Sequence, residues 1–319
     1  MRTINTILVA HDFSSCSTQA LKDGIELAIA KRASLHLLYV EVIHADSPLD
    51  GAGDTAKAVR MRDMLHGAIQ ENVASLGREM ADIPSFVYCV TRDFAAAPAI
   101  LQYAHKNAVD LIVLGTHGRR GLLRKLIGST AEEVVRLAPC PVLTIREQVQ
   151  SQPLTSSVGA ILVPIDFSDS TPLALAAARE WADFFDARLD LVHVVEEKMH
   201  PAFYNTGVFS MYDVNPDLEA TVIEHMKKLY AQAPGSGGPV RFIVRHGHAV
   251  RELLEAAREL GDDLIVIATH GLSGLDRALM GSVSERIVRQ AEAPVITLRG
   301  GGAKPLARTV RHEPATAAS

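Results

Sequence analysis

The chain is written twice. The segment ILVAHDFSSCSTQAL, from Ile7, returns as ILVPIDFSDSTPLAL from Ile161, an offset of 154. The segment DLIVLGTHGRRGLLRKLIGSTAEEVVRLAPCPVLTIR, from Asp110, returns as DLIVIATHGLSGLDRALMGSVSERIVRQAEAPVITLR from Asp263, an offset of 153. Two long matches at nearly one offset mark a duplication, so the chain must fold as two copies of one unit. The copies span 1–146 and 159–300. Residues 147–158 between them, polar with one proline, read as a linker. The end, 301–319, rich in small and polar residues, is expected to be disordered.

Each copy alternates short apolar runs with segments of helical period. In the first, strands are expected at Thr6–Ala10, Leu35–Val40, Phe86–Val90, Leu111–Leu114 and Val142–Ile145. Helices are expected near Ser17–Arg32, Ala56–Met80, Pro98–Lys106 and Thr130–Leu137. Continuous apolar strands separated by helices mean a parallel sheet covered on both faces. The fold class is therefore α/β, with two tandem, doubly wound, five-stranded sheets. Ligands of such sheets sit at the carboxyl ends of the strands.

Composition narrows the partners. The formal net charge of -5 supplies no bulk field toward nucleic acid or anionic lipid, so neither is expected as a partner. Cys16, Cys89 and Cys140 show no CxxC spacing and suit a reducing compartment. The first apolar run, Ile7–Ala10, is too short for a signal peptide or a membrane span, and a cytoplasmic location is expected.

The chemistry concentrates after the fourth strand. The first copy reads Gly115-Thr116-His117-Gly118, then nine residues, then Gly128-Ser129. The second reads Ala268-Thr269-His270-Gly271, then nine residues, then Gly281-Ser282. Glycine lets a backbone approach a ligand closely or take positive φ. Ser129 is followed by Glu132 and Ser282 by Glu285, a capping-box pattern that starts a helix at each serine. A helix start offers free N–H groups and the positive end of a dipole, suited to phosphate. Arg119, Arg120, Arg124 and Lys125 add positive charge between the first copy's glycines, where the second has Arg277 offset by Asp276. An aspartate ends the first strand of each copy, Asp12 and Asp166, inside a shared Asp-Phe-Ser triplet.

Gly, two residues, Gly, nine residues, Gly and then Ser or Thr is the signature of the ATP-binding universal stress proteins. The chain resembles that family across both halves, with one departure at Ala268. The resemblance implies ATP as ligand, accompanied by Mg²⁺. It places Asp12 and Asp166 by adenine and ribose, and Val40 and Val194 with their backbone against the base. Leu114 and Ile267 would line the base pocket, and His117 and His270 would approach phosphate or ribose. Gly115, Gly118, Gly128, Ser129 and Thr130 would form the first phosphate site. Ala268, Gly271, Gly281, Ser282 and Val283 would form the second. In the family, sheets associate through the last strand, here Pro141–Ile145 and Pro294–Leu298, so the chain would form a pseudo-dimer within itself; chains could then pair into a homodimer.

P-loop and dinucleotide fingerprints are both absent. No Ser-His-Asp order, carboxylate pair or metal cluster recurs in both copies, so binding is favoured over turnover. His11 and Asp12 are adjacent on a strand and point to opposite faces, poor geometry for a metal. Three functional readings stay open: a nucleotide-dependent stress-response or signalling protein with an unidentified protein partner, a nucleotide-free interaction scaffold, and a slow ATPase. If position 268 needs positive φ, or approaches a ligand closely, the Ala268 methyl would weaken the second site. The aromatic segment 199–217 reads as a lid, a partner surface or a loop folded onto its own domain.

Overall fold

The computed structural model describes residues 3–43, 51–116, 127–146, 152–196, 217–235, 238–269 and 280–299. The first half runs β1 (Thr6–Ala10), α1 (Ser15–Lys31), β2 (Ser34–Val42), α2 (Gly51–Ser75), a 3-10 turn (Met80–Asp82), β3 (Ser85–Asp93), α3 (Ala96–Lys106), β4 (Leu111–Gly115), α4 (Ser129–Leu137) and β5 (Val142–Ile145). A single-turn helix, α5 (Leu154–Ser157), leads into the second half. There follow β6 (Ala160–Pro164), α6 (Thr171–Phe185), β7 (Arg188–Val195), α7 (Leu218–Gln232), β8 (Val240–His246), α8 (Ala249–Leu260), β9 (Leu264–Ala268), α9 (Ser282–Gln290) and β10 (Val295–Leu298).

The two five-stranded sheets join edge to edge in the order β3-β2-β1-β4-β5-β10-β9-β6-β7-β8. Pairing is parallel within each half and antiparallel where β5 meets β10, with Leu143 opposite Ile296. The carboxyl ends of the strands therefore face opposite edges of the slab in the two halves. Within each half the strand order reverses at one point, between β1 and β4 and between β6 and β9. A crevice at the carboxyl ends is expected at such a switch point.

Two apolar layers cover the sheet, and both run across the seam. One gathers Leu21, Ile25 and Leu65 with Leu175 and Trp181. The other gathers Ile100 and Val134 with Leu253 and Ile287. Strands β1, β4, β6 and β9 are buried through their central residues, as their unbroken apolar sequences require.

The seam is fastened from both sides. Arg146 follows β5 and donates from Nη1 to the carbonyls of Gln290 (3.2 Å) and Ala291 (3.0 Å), and from Nη2 to Arg289 (2.9 Å). Arg299 follows β10 and donates to the Leu137 carbonyl at 3.3 Å. Each arginine thus serves the carbonyl end of the other half's last helix, where the dipole is negative.

The later part of the interhalf segment is docked on α1. Leu154 is buried, its N–H donates to Asp23 Oδ1 at 3.0 Å, and Thr155 Oγ1 donates to Glu26 Oε2 at 3.3 Å. Burial pushes the Asp23 carboxyl up to about 6. Helix α2 ends five residues before the position expected from periodicity. Gly77 (φ +66) turns the chain, with Gly77 N–H on the Ala74 carbonyl and Arg78 N–H on that of Val73. Residues 147–151, 197–216 and 301–319, which carry the start of the linker, most of the aromatic segment and the tail, lie outside the described residues.

Candidate functional site

At each switch point the aspartate bonds within the turn that follows the first strand of its half. In the first half the Asp12 Oδ1 accepts from Ser14 N–H (3.1 Å) and Ser14 Oγ (2.6 Å). Ser14 caps α1, its Oγ accepting from Ser17 N–H. In the second half Asp166 Oδ1 accepts from Ser168 N–H and Thr171 Oγ1, both at 3.0 Å. Both aspartates thus build the turn that launches the next helix.

That turn holds a feature the sequence reading missed. Phe13 and Phe167 have φ of 62° and 57°, a left-handed backbone that bulky residues rarely adopt. Packing holds them there. Phe13 lies 5.4 Å from Tyr39 between ring centroids, and Phe167 lies 4.7 Å from His193 and stacks on His225 at 4.7 Å. The only signal was the recurrence of phenylalanine in both triplets. Burial holds the His193 imidazole below its usual pKa, and its Nδ1 lies 2.7 Å from the Ile165 carbonyl.

Beside the turn, β4 ends at Gly115. A Cβ there would lie 2.9 Å from both the Cys16 Sγ and its backbone carbonyl carbon. Gly115 is therefore required by packing against the first turn of α1. It has no positive φ, and neither does Gly128 (−67°) or Gly281 (−62°). Of the two uses of glycine, close approach and positive φ, the second does not apply at these positions. At the matching place of the second half, beside Ala268, α6 starts at Thr171, two residues later than the matching start of α1, with Ser170 where α1 has Cys16. Ala268 has no positive φ either, so that premise for a weaker second site falls away, while the close approach of its methyl to a ligand stays a proposal.

Past Gly115, Thr116 N–H donates to the Ile145 carbonyl (2.8 Å), and the Thr116 carbonyl accepts from Gly128 N–H (2.7 Å). The second half repeats this, Thr269 to Leu298 at 2.8 Å and Gly281 to Thr269 at 2.6 Å. These bonds hold the start of the next helix to the strand end in each half. Helices α4 and α9 begin at Ser129 and Ser282, with Gly128 and Gly281 as caps that make no side-chain bond. The expected capping boxes do not form, because each serine is the first helical residue instead of the cap. The glutamates turn elsewhere: Glu132 and Glu285 both pair with Arg289.

Ser129 and Ser282 are exposed, and Thr130 and Val283 half-buried, at these helix starts. Val40 and Val194 are half-buried near the carboxyl ends of β2 and β7, in register with Thr91 and Arg245. Leu114 and Ile267 are 4% and 5% exposed and belong to one core layer. His117, Gly118, His270 and Gly271 lie outside the described residues, as do Arg119, Arg120, Arg124, Lys125, Asp276 and Arg277. Next to Val40 the buried Glu41 pairs with Lys57 of α2 and with Arg92 (3.0 Å), and the Lys57 ammonium holds its carboxyl below the usual range. Val195 stands at the place matching Glu41, so the second half has no carboxylate there.

The universal stress protein family model matches residues 3–146 and again 158–299, and the chain belongs to that family as a tandem member. Universal stress protein Rv2005c of Mycobacterium tuberculosis is 31% identical over 196 residues, 60% of this chain and 63% of that one. The match thus spans less than two thirds of that relative's length. Universal stress protein YxiE of Bacillus subtilis is 28% identical over 144 residues, 44% of this chain and 97% of its own. Among solved structures, a universal stress protein from Archaeoglobus fulgidus superimposes with a TM-score of 0.65 over 94% of this chain and 100% of that one, at 19% identity. That likeness concerns the fold. No helix among the described residues is long and apolar enough to cross a membrane.

Proposed function

We propose that each half binds ATP at its switch-point crevice and that the chain acts in stress response or signalling by nucleotide-dependent binding. The observation that carries this reading is the hydrogen bond from Gly128 to Thr116, matched by Gly281 to Thr269, which seats a helix start beside the aspartate turn. The amides of Ser129 and Thr130, and of Ser282 and Val283, would receive phosphate at the positive end of the helix dipole. Gly128 suits the role, because a Cβ there would meet only the Thr116 carbonyl oxygen, at 3.4 Å. Asp12 and Asp166 would face the ribose and base, with the backbone of Val40 and Val194 along the adenine edge. When bound, ATP supplies the anionic load and carries its Mg²⁺; the protein's residues bind and orient. The first site is proposed to be the tighter one, on the charge of Arg119, Arg120, Arg124 and Lys125.

The test is to denature the purified full-length protein and identify any released nucleotide by chromatography, together with equilibrium titration of the stripped protein. An adenine nucleotide released, or ATP bound by the stripped protein, supports the reading. No released nucleotide and no binding at millimolar ATP refutes it and favours the nucleotide-free scaffold. Repeated release of ADP and phosphate would favour the slow ATPase.

A further inference from the structure

We infer that Arg289 couples the two nucleotide sites, so that filling one weakens the other. This inference rests on the nucleotide reading of both crevices. The Arg289 Nη2 lies 2.9 Å from Glu132 Oε2 and 2.9 Å from Glu285 Oε1. These two glutamates occupy the first turns of α4 and α9, the helices whose starts form the two candidate phosphate sites. One guanidinium nitrogen therefore spans the acidic residue of both sites.

The bridge is anchored. The Arg289 carbonyl accepts from Arg146 Nη2 at 2.9 Å, which ties this residue's backbone to the end of β5. The Glu132 N–H is bonded to the Gly128 carbonyl at 3.0 Å, one turn from the amides of Ser129 and Thr130. The matching arginine of the first half, Arg136, is exposed, so the bridge breaks the two-fold symmetry of the seam.

A carboxylate in the first turn competes with an incoming polyphosphate for the positive end of the helix. Arg289 offsets that negative charge at both helices, one Nη2 hydrogen being available to each carboxylate, but its single positive charge is shared between them. Phosphate at the start of α4 makes Glu132 costlier and draws the guanidinium toward it. Glu285 is then less compensated, and the start of α9 becomes less receptive. By linkage the effect is reciprocal. All three side chains are about one-third exposed, so the coupling is about threefold, the size of a partly screened ion pair.

The experiment is calorimetric titration of the stripped full-length chain with a non-hydrolysable ATP analogue and Mg²⁺, at low and high salt. Gly118→Trp and Gly271→Trp block one site each. The expected result is a second site that binds about threefold more tightly in Gly118→Trp than it does in the parent after its first site is filled. In the Arg289→Gln background that factor falls to about one while both sites bind more weakly. Glu132→Gln also removes the factor, and it keeps the test open should Arg289→Gln fold poorly by circular dichroism. A factor absent from the parent, or retained in both variants, overturns the coupling while leaving the nucleotide reading in place. A single occupied site in the parent also overturns it. No binding to the parent overturns the nucleotide reading, and the coupling falls with it.

Discussion

Replacing Gly115 with alanine tests whether this glycine serves packing or the ligand. The added Cβ would lie 2.9 Å from the Cys16 Sγ, 2.9 Å from its backbone carbonyl carbon and 3.0 Å from its Cβ. A side chain alone could rotate away, but a backbone atom cannot, so the first turn of α1 must shift. Forcing a methyl into a packed interior costs about 1–3 kcal/mol, and the backbone clash puts Gly115→Ala in the upper part of that range. The reverse change in the other half, Ala268→Gly, creates no clash and costs about 0.5–1 kcal/mol through chain entropy. Urea unfolding of nucleotide-free protein, followed by circular dichroism, measures both. A loss of stability in Gly115→Ala without nucleotide, larger than that in Ala268→Gly, is the expected outcome. If nucleotide-free stability is unchanged and only nucleotide binding falls, the glycine serves the ligand and the packing account is wrong.

Asp12→Ala removes the acceptor of Ser14 N–H and Oγ and should cost about 1 kcal/mol of stability in urea unfolding, with a larger effect on ATP affinity in titration. Arg146→Met leaves three carbonyls at the end of α9 without a charged donor; a loss of about 1–3 kcal/mol is expected in the same assay. Burial, reinforced by the Asp190 carboxylate, pushes the Asp262 carboxyl from 3.8 up to about 8. The folded chain therefore keeps a proton that the unfolded chain has released, and this group's contribution to stability falls as pH rises from 3.8 to about 8. Unfolding free energies across that window should flatten in Asp262→Asn; an unchanged slope would remove Asp262 as its source.

The duplication, the strand–helix alternation and the helix starts at Ser129 and Ser282 were legible because each is a local or periodic pattern. So was the pairing of the last strands, through the family resemblance. The reason for Gly115 was not legible: its steric partner, Cys16, is distant in the sequence and comes close only once β4 lies beside β1. The left-handed Phe13 and Phe167 were equally hidden, since Tyr39 and His193 on the neighbouring strands hold them in place. The capping-box pattern misled because Gly128 and Gly281, one residue before the serines, take the cap position, which puts each glutamate one place too far along its helix.

The antiparallel junction of β5 with β10, with both apolar layers continuing across it, has a consequence for how the chain can change. Two separately made copies would have to find each other, and their ratio would float with expression. Here the ratio is fixed at one to one by covalent connection, so the two crevices can drift apart in charge and shape without losing their counterpart. Cutting the chain at the linker would strip both fragments of a shared interior and leave two raw sheet edges, so the pieces should clump or re-pair instead of standing alone.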